Sequence, residues 1–427
     1  LELYRYLYPF QEDPLLWVHL NTDYPFVVNG ILYFPKLRPD VDVTKGHIKL
    51  FCNQVFVSDN CEEIIPQFLL PLRGVVDSSD IPLNVSRSFL QNDRTVRRIA
   101  DYIAKKVGDR LKELYRDDRA SYIRCWQDLG VFVKFGSLND EKFKKQVEDL
   151  VIFRTTADLG EADQPAVEVQ TEADDAWQSV DEPVATDADG HHYTTLKEYL
   201  ERNKERHENR VFYATDEASQ ATYIDLHRQQ GLEVLFMDSF IDTHFIPFLE
   251  REYSDIRFSR VDADLDDTLI ESDQASEIVD PTTNKTRSEQ IKELFETALN
   301  QPKLTIRTES LKSEDAQAAP PAMVLLPEAM RRIQEMTAMM QQQQMQFPQE
   351  HTLLVNTSHP LIQNLATLSQ GTIVQSDGGT SPSGEMAKMI CHHVYDLALM
   401  AQKGFDANGM KSFVERSNRL LTQLTEK

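Results

Sequence analysis

Cysteine is scarce in this 427-residue chain: Cys52, Cys61, Cys125 and Cys391 stand far apart, and none forms a C-x-x-C pair. That argues against a disulfide framework or a cysteine metal cluster and fits a reducing compartment, here expected to be the cytoplasm. Apolar runs are short, and none approaches the ~18 residues needed to span a bilayer. Basic charge is in deficit as well, with 45 Lys and Arg against 69 Asp and Glu, a formal net charge of -24. A general affinity for nucleic acid or anionic membranes is not expected of such a chain. No nucleophile, metal or paired-carboxylate motif stands out. The chain also opens at Leu1 without an initiator methionine or a signal-peptide pattern, as a fragment with its missing part upstream would.

What is present divides into segments. The acids are concentrated: eleven lie in residues 157–190 and eight in 261–280, with no Lys or Arg in either stretch. Residues 24–34, 47–58 and 73–77 read as strands, rich in β-branched and aromatic residues. Val96, Ile99, Ile103, Val107, Leu111 and Leu114 then recur at three- and four-residue spacing and mark one apolar helix face. Further helical patterns cover 118–129 and 140–153. Residues 157–190 combine acid with Pro and Gly and lack periodicity, the composition of a mobile insertion.

Order returns as a compact alternation: helix 195–207, strand 210–214, helix 216–230, strand 232–237, helix 240–251, strand 256–260. Short strands separated by helices predict a small parallel sheet. The turn after its first strand, "ATDEAS", has no glycine and two acids, so a Gly-rich phosphate cradle is excluded there. Past an acidic linker come a helix at 286–300, strands at 303–307, 321–326 and 350–356, helices at 327–346 and 359–369, and two closing helices near 384–402 and 408–425. The class expected is α/β and α+β multidomain. A large α/β domain with a helical packet spans 1–155, an acidic insertion 156–192, a small α/β unit 193–262, an acidic linker 263–285, and an α+β dimerisation domain 286–427.

Ten of the eleven methionines lie at or after residue 323. Met330, Ile333, Met336 and Met340 fall within about one third of the helix circumference at 327–346. Such a stripe packs a core or forms a soft recognition surface, and the polar continuation "QQQQMQF" favours the second. In the last two helices Met386, Met389, Ile390, His393, Val394, Leu397 and Ala401 form one stripe, and Phe413, Val414, Leu420, Leu421 and Leu424 another. Pairing two copies into a four-helix bundle would bury both, while the alternative is packing on residues 286–370 of the same chain. His392 and His393, beside Cys391, diverge around the helix and cannot chelate one ion together.

The stretch "LRGVVDSSDIPLNVSRSFLQ" at 72–91 resembles the middle domain of the 90-kDa heat-shock protein family in its bacterial HtpG form. "VLFMDSFIDTHFIPFL" at 234–249, the methionine helix and the terminal helical pair extend the likeness over nearly the whole chain. The resemblance implies a homodimeric molecular chaperone that binds non-native client proteins and works with the 70-kDa heat-shock system. It lacks the family's amino-terminal ATPase domain, so ATP and Mg2+ are cofactors of the full-length protein, none is bound by this chain alone, and no independent turnover is expected. The resemblance makes Arg87 the catalytic arginine that reaches the γ-phosphate, with Asn84 and Gln91 as loop companions. A guanidinium, permanently charged and forked, suits that task. Ser88 stands where the family commonly has Glu. Client-facing surfaces are implied at Met330, Ile333, Met336 and Met340, and at Phe240, His244, Phe245 and Phe248; dimerisation is implied at Met386, Met389, Ile390, Val394, Leu397, Phe413, Leu420, Leu421 and Leu424. Two other readings remain: an enzyme for a small molecule or nucleotide built on the sheet at 210–260, and a dimeric scaffold whose methionines are all core.

Overall fold

The computed structural model describes residues 1–36, 47–59, 64–81, 94–159, 167–170, 177–180, 186–207, 209–263, 265, 269–271, 278–280, 285–313, 316–317, 319–326, 351–370, 382–403 and 407–425. The chain is mixed α/β and separates into two compact units. One comprises Leu1–Arg202 with Ser239–Ser254, and the other Asn203–Asp238 with Asp255–Lys427.

In the first unit, α1 (Glu2–Leu7) precedes five strands, β1 (Leu16–Thr22), β2 (Val28–Phe34), β3 (His47–Cys52), β4 (Val55–Ser58) and β5 (Arg73–Asp77). They form one sheet in the order β1-β2-β5-β3-β4, antiparallel except for the parallel pair β3 and β5. The expected strand at 47–58 is therefore a hairpin, turned by Asn53 and Gln54 with φ of 49° and 67°. Neither turn residue is glycine, which hid the turn. Strand β1 adds to the reading of the sequence. Its Leu16, Val18 and Leu20 are buried and Trp17 and His19 exposed, so the alternation is real but has an aromatic on the solvent side.

Helix α2 (Arg94–Asp117) buries Val96, Ile99, Ile103, Val107 and Leu111 of the predicted stripe, and its last member, Leu114, is partly exposed. Its successor α3 (Arg119–Asn139) is ten residues longer at its end than the expected helix at 118–129. Asp118 and Asp140 cap α3 and α4 (Glu141–Val147) by accepting from Ser121 N and from Lys142 N and Phe143 N. After α4 the pattern at 140–153 turns into strand β6 (Ile152–Thr155), which pairs with β9 (His192–Thr195) ahead of α5 (Leu196–Asn203). Inside the acidic insertion, β7 (Val167–Gln170) and β8 (Trp177–Val180) form an antiparallel pair, which corrects the expectation of a segment without regular structure. Helix α7 (Asp242–Glu252) completes this unit.

The second unit holds β10 (Arg210–Ala214), α6 (Ala221–Gln229), β11 (Val234–Phe236) and β12 (Arg257–Arg260), with β10 parallel to both other strands, as predicted. The short pair β13 (Ile278–Asp280) and β14 (Lys285–Thr286) leads into α8 (Arg287–Leu299), which opens with a Thr286–Glu289 capping box and ends at Asn300 in the left-handed region. A second sheet follows, of β15 (Leu304–Glu309), β16 (Ala322–Leu325) and β17 (His351–Asn356), in the order β15-β17-β16. Both its faces are buried, alternate residues serving two cores. Ile306, Ala322, Val324, Leu353 and Val355 pack with α8, α9 (Pro360–Gln370) and α10 (Pro382–Lys403). Met323, Leu325 and Leu354 pack with Phe212, Tyr223, Val234 and Phe236. Helix α11 (Ala407–Thr425) closes the chain.

One expectation fails here: part of the acidic stretch 261–280 is core and not linker. Val261, Leu265 and Leu269, spaced by four, are buried in the second of these clusters. Asp262 is buried too, bridged by the Arg260 guanidinium. The acids raised the polarity of the segment and masked three apolar anchors.

Candidate functional site

Arg87, Asn84, Gln91 and Ser88 lie outside the described residues, and the structure shows the two supports between which they run. Strand β5 is central in its sheet. At its start Gly74 takes φ +146°, and a Cβ there would meet Ile31 O at 2.1 Å. Tyr8 hydroxyl accepts from Gly74 N (2.7 Å) and donates to Gly74 O (3.1 Å), and burial pushes this phenol up to about 12. At its end the Asp77 carboxylate accepts from Gln54 N at 3.1 Å. The residues beyond are anchored in turn. Ser78 N donates to Phe51 O at 3.2 Å, Asp80 Oδ2 accepts from Val27 N at 2.7 Å, and Cys52 Sγ reaches Ile81 O at 3.4 Å. Ser78 and Ile81 are both buried. On the other side α2 is held through Val96 and Ile99. Residues 77–81 are thus fixed to the sheet, and the chain from Arg94 onward belongs to a long packed helix.

Met330, Ile333, Met336 and Met340 also lie outside the described residues. The aromatic pattern at 240–248 is described, and it divides. Phe240 is 60% exposed and His244 is exposed. Phe245 and Phe248 are 2% and 8% exposed, with their rings stacked at 5.4 Å, so neither is offered to a partner. They face inward because α7 turns them against α3 and α4. Lys134 Nζ lies 5.9 Å from the Phe245 centroid and Lys144 Nζ 5.8 Å from that of Phe248. With them comes a feature without a sequence signal, a buried ion pair between Lys134 and Asp242 at 2.6 Å, side chains 6% and 3% exposed. Asp242 also accepts from Ser239 N at 3.1 Å.

The last two helices divide as well. One face of α10, through Ala387, Cys391, Val394, Tyr395 and Ala398, belongs to the core of its own chain. Val394 is therefore an internal residue, whereas Met386, Met389, Ile390 and Leu397 are only partly buried. Burial pushes the Cys391 thiol up to about 12, which leaves it inert at neutral pH. None of the described side chains of α11 is buried. Phe413 stacks on His393 at 5.2 Å and Arg416 pairs with Asp396, while Phe413 and Leu420 stay partly exposed. Val414 and Leu421 are 47% and 60% exposed, and the side chain of Leu424 lies outside the described residues.

The parallel strands offer little to a nucleotide. After β10 the N–H groups of Thr215 and Asp216 both donate to Gln220 Oε1, at 2.7 and 3.0 Å, and Asp216 Oδ1 accepts from Ala218 N at 3.0 Å. The turn consumes these donors itself. Among the described residues one group has metal-ligand geometry, Asp187, Asp189 and His191. Its members serve a turn: Asp187 accepts from Asp189 N and His191 N, at 3.0 and 2.9 Å. Burial opposes ionisation of Asp187, yet these bonds and those from the His191 ring and Tyr193 hold its carboxyl below the usual range. No helix among the described residues is long and apolar enough to cross a membrane.

The profile of the family described as Hsp90 protein matches residues 1–164 and 184–426 of the chain. Chaperone protein HtpG of Bacteroides fragilis is 35% identical over 374 residues, 85% of this chain and 49% of that protein. The HtpG of Porphyromonas gingivalis is 36% identical over 373 residues, 84% of this chain and 48% of that protein. That of Idiomarina loihiensis is 27% identical over 433 residues, covering 98% and 59%. The chain spans about half the length of the first two relatives.

Proposed function

The chain belongs to the Hsp90 family, and on that premise we propose that it forms the middle and C-terminal part of a homodimeric, ATP-dependent chaperone that binds non-native proteins in the cytoplasm. The observation that supports this most is the apolar face of the last two helices. Met400, Met410, Val414 and Leu421 are each more than a third exposed, and α11 has no buried side chain among those described. A side chain of this size contributes ~1.5–3 kcal/mol when fully buried, so a second copy placed against the pair would gain several such terms. Light scattering on the intact chain tests the reading. A dimer is expected at micromolar concentration, with Val414→Glu combined with Leu421→Glu giving a monomer of unchanged helicity. A monomeric parent chain would refute the dimer.

In this reading Arg87 reaches the γ-phosphate of ATP, and Asn84 and Gln91 shape the loop that carries it. ATP and Mg2+ are held by an ATPase domain outside these 427 residues, so hydrolysis depends on that domain docking onto the loop. With an ATPase domain supplied, Arg87→Ala is expected to slow hydrolysis, by up to the ~10³-fold typical of an arginine finger, with nucleotide affinity nearly unchanged. Undiminished turnover would remove Arg87 from the mechanism. Clients are received at Met330, Ile333, Met336 and Met340 and at the exposed Phe240 and His244, and the 70-kDa heat-shock system is a further partner.

A further inference from the structure

Strand β1 is an edge of its sheet, and its antiparallel pairing with β2 turns every second residue's N–H and C=O outward. Asn21 identifies which residues these are. Its N–H donates to the Tyr102 hydroxyl of α2 at 3.2 Å, and its C=O accepts from the same hydroxyl at 2.9 Å. The register runs without a shift from Leu16 to Thr22, so Trp17 and His19 share this outward orientation. Among the described residues no loop or side chain bonds their outward groups. An unpaired edge of this kind is a template for an added strand.

The edge borders a groove of about 610 Å³ whose other wall is α2. That wall carries Lys106, Arg110, Lys112 and Arg116 against two acids. Asp109 accepts from Gln146 Nε2 at 2.8 Å, Glu113 pairs with Arg110 at 2.6 Å, and Arg116 pairs with the neighbouring Asp117 at 2.6 Å. An incoming carboxylate therefore shares the two arginines with these acids and meets Lys106 and Lys112 beside them. Helix α2 as a whole holds eight basic and four acidic residues in a chain of net charge -24, so the groove is a local reversal of sign. Trp17, 46% exposed, adds an aromatic surface at its rim.

We propose that this groove binds an extended acidic peptide segment of a partner protein, which adds to β1 as a further strand. Its main chain pairs with Trp17 and His19, and its carboxylates meet the cations of α2. Two requirements are joined in one place: backbone donors and acceptors select a peptide in extended form, and the cations select its charge. A nucleic acid satisfies the second alone, and it meets the repulsion of the whole chain.

The test measures fluorescence anisotropy of a labelled decapeptide of alternating Glu and Thr titrated with the intact chain. Binding is expected, weakening with salt and falling about tenfold for Arg110→Glu combined with Arg116→Glu, a loss of about 1.4 kcal/mol shared by two charges. A peptide of the same length and charge with a central Thr replaced by proline should bind weakly, because its main chain cannot complete the ladder. His19→Pro, which removes one outward N–H and leaves the bonds to β2, should weaken the parent peptide in the same way. Circular dichroism checks that each variant is folded, and the arginine pair supplies the answer if the proline variant is not. Absence of binding, equal binding to the charge-reversed variant, or displacement of the peptide by oligothymidylate at lower concentration would each overturn the proposal. The dimer measurement does not depend on this groove, so the two readings fail separately.

Discussion

At Lys134 and Asp242 two opposite charges lie in the core of one unit, 108 residues apart in the chain. Lys134 Nζ lies over the faces of Phe153 and Phe245, and Asp242 also accepts from Ser239 N. Removing one partner leaves the other charge buried without its counter-ion, which costs about 3–5 kcal/mol. Lys134→Met alone is therefore expected to lower the urea midpoint markedly, while Lys134→Met combined with Asp242→Leu should recover most of the loss. His227 gives a pH signature. Burial lowers it from 6.5 to about 4, although its Nδ1 lies 2.7 Å from Tyr223 O. The unfolded chain takes up this proton below pH 6.5 and the folded chain only near pH 4. Stability is thus full above pH 6.5 and declines as pH falls toward 4, by up to about 3 kcal/mol. His207, His359, His392 and His393 are shifted the same way by burial. Thermal melts between pH 7.5 and 5 should show the decline, and His227→Gln should make it shallower. None of this was legible in the sequence, because burial of a lone histidine or lysine is decided by residues far away in the chain.

Among the elements, β5 has the tightest tolerance. Gly30 and Gly74 face each other's strands across the β2–β5 pair, where a Cβ on either would meet a carbonyl oxygen at 2.3 or 2.1 Å. Gly74→Ala is expected to cost at least the ~1–3 kcal/mol of a strained backbone position, and the urea midpoint measures it. Because β5 leads directly into the segment containing Arg87, the same change should also slow hydrolysis once an ATPase domain is supplied. Helix α2 was legible in full because its stripe repeats over most of its length. The hairpin of β3 and β4 was not, since Asn53 and Gln54 adopt positive φ without the glycine that signals such turns. Strand β1 escaped for a related reason: its solvent side carries Trp17, which breaks the binary pattern that an edge strand otherwise shows.

For the molecule as a whole, association through α10 and α11 links stability to concentration. If two copies pair there, the melting temperature of the second unit should rise with protein concentration, and the Val414→Glu, Leu421→Glu variant should melt independently of it. The sequence by itself determined the mixed α/β class, the parallel order around β10, the absence of a phosphate cradle at Thr215 and Asp216, and the family. Each depends on local periodicity or on an uninterrupted motif. Only the tertiary structure decided which members of a pattern are available. Phe245 and Phe248 went inward while Phe240 and His244 stayed out, α10 gave one face to its own core, and Val261, Leu265 and Leu269 made core of a segment that composition assigned to a linker. A helical or strand period says that a stripe is apolar, but what covers the stripe depends on elements brought together from distant parts of the chain.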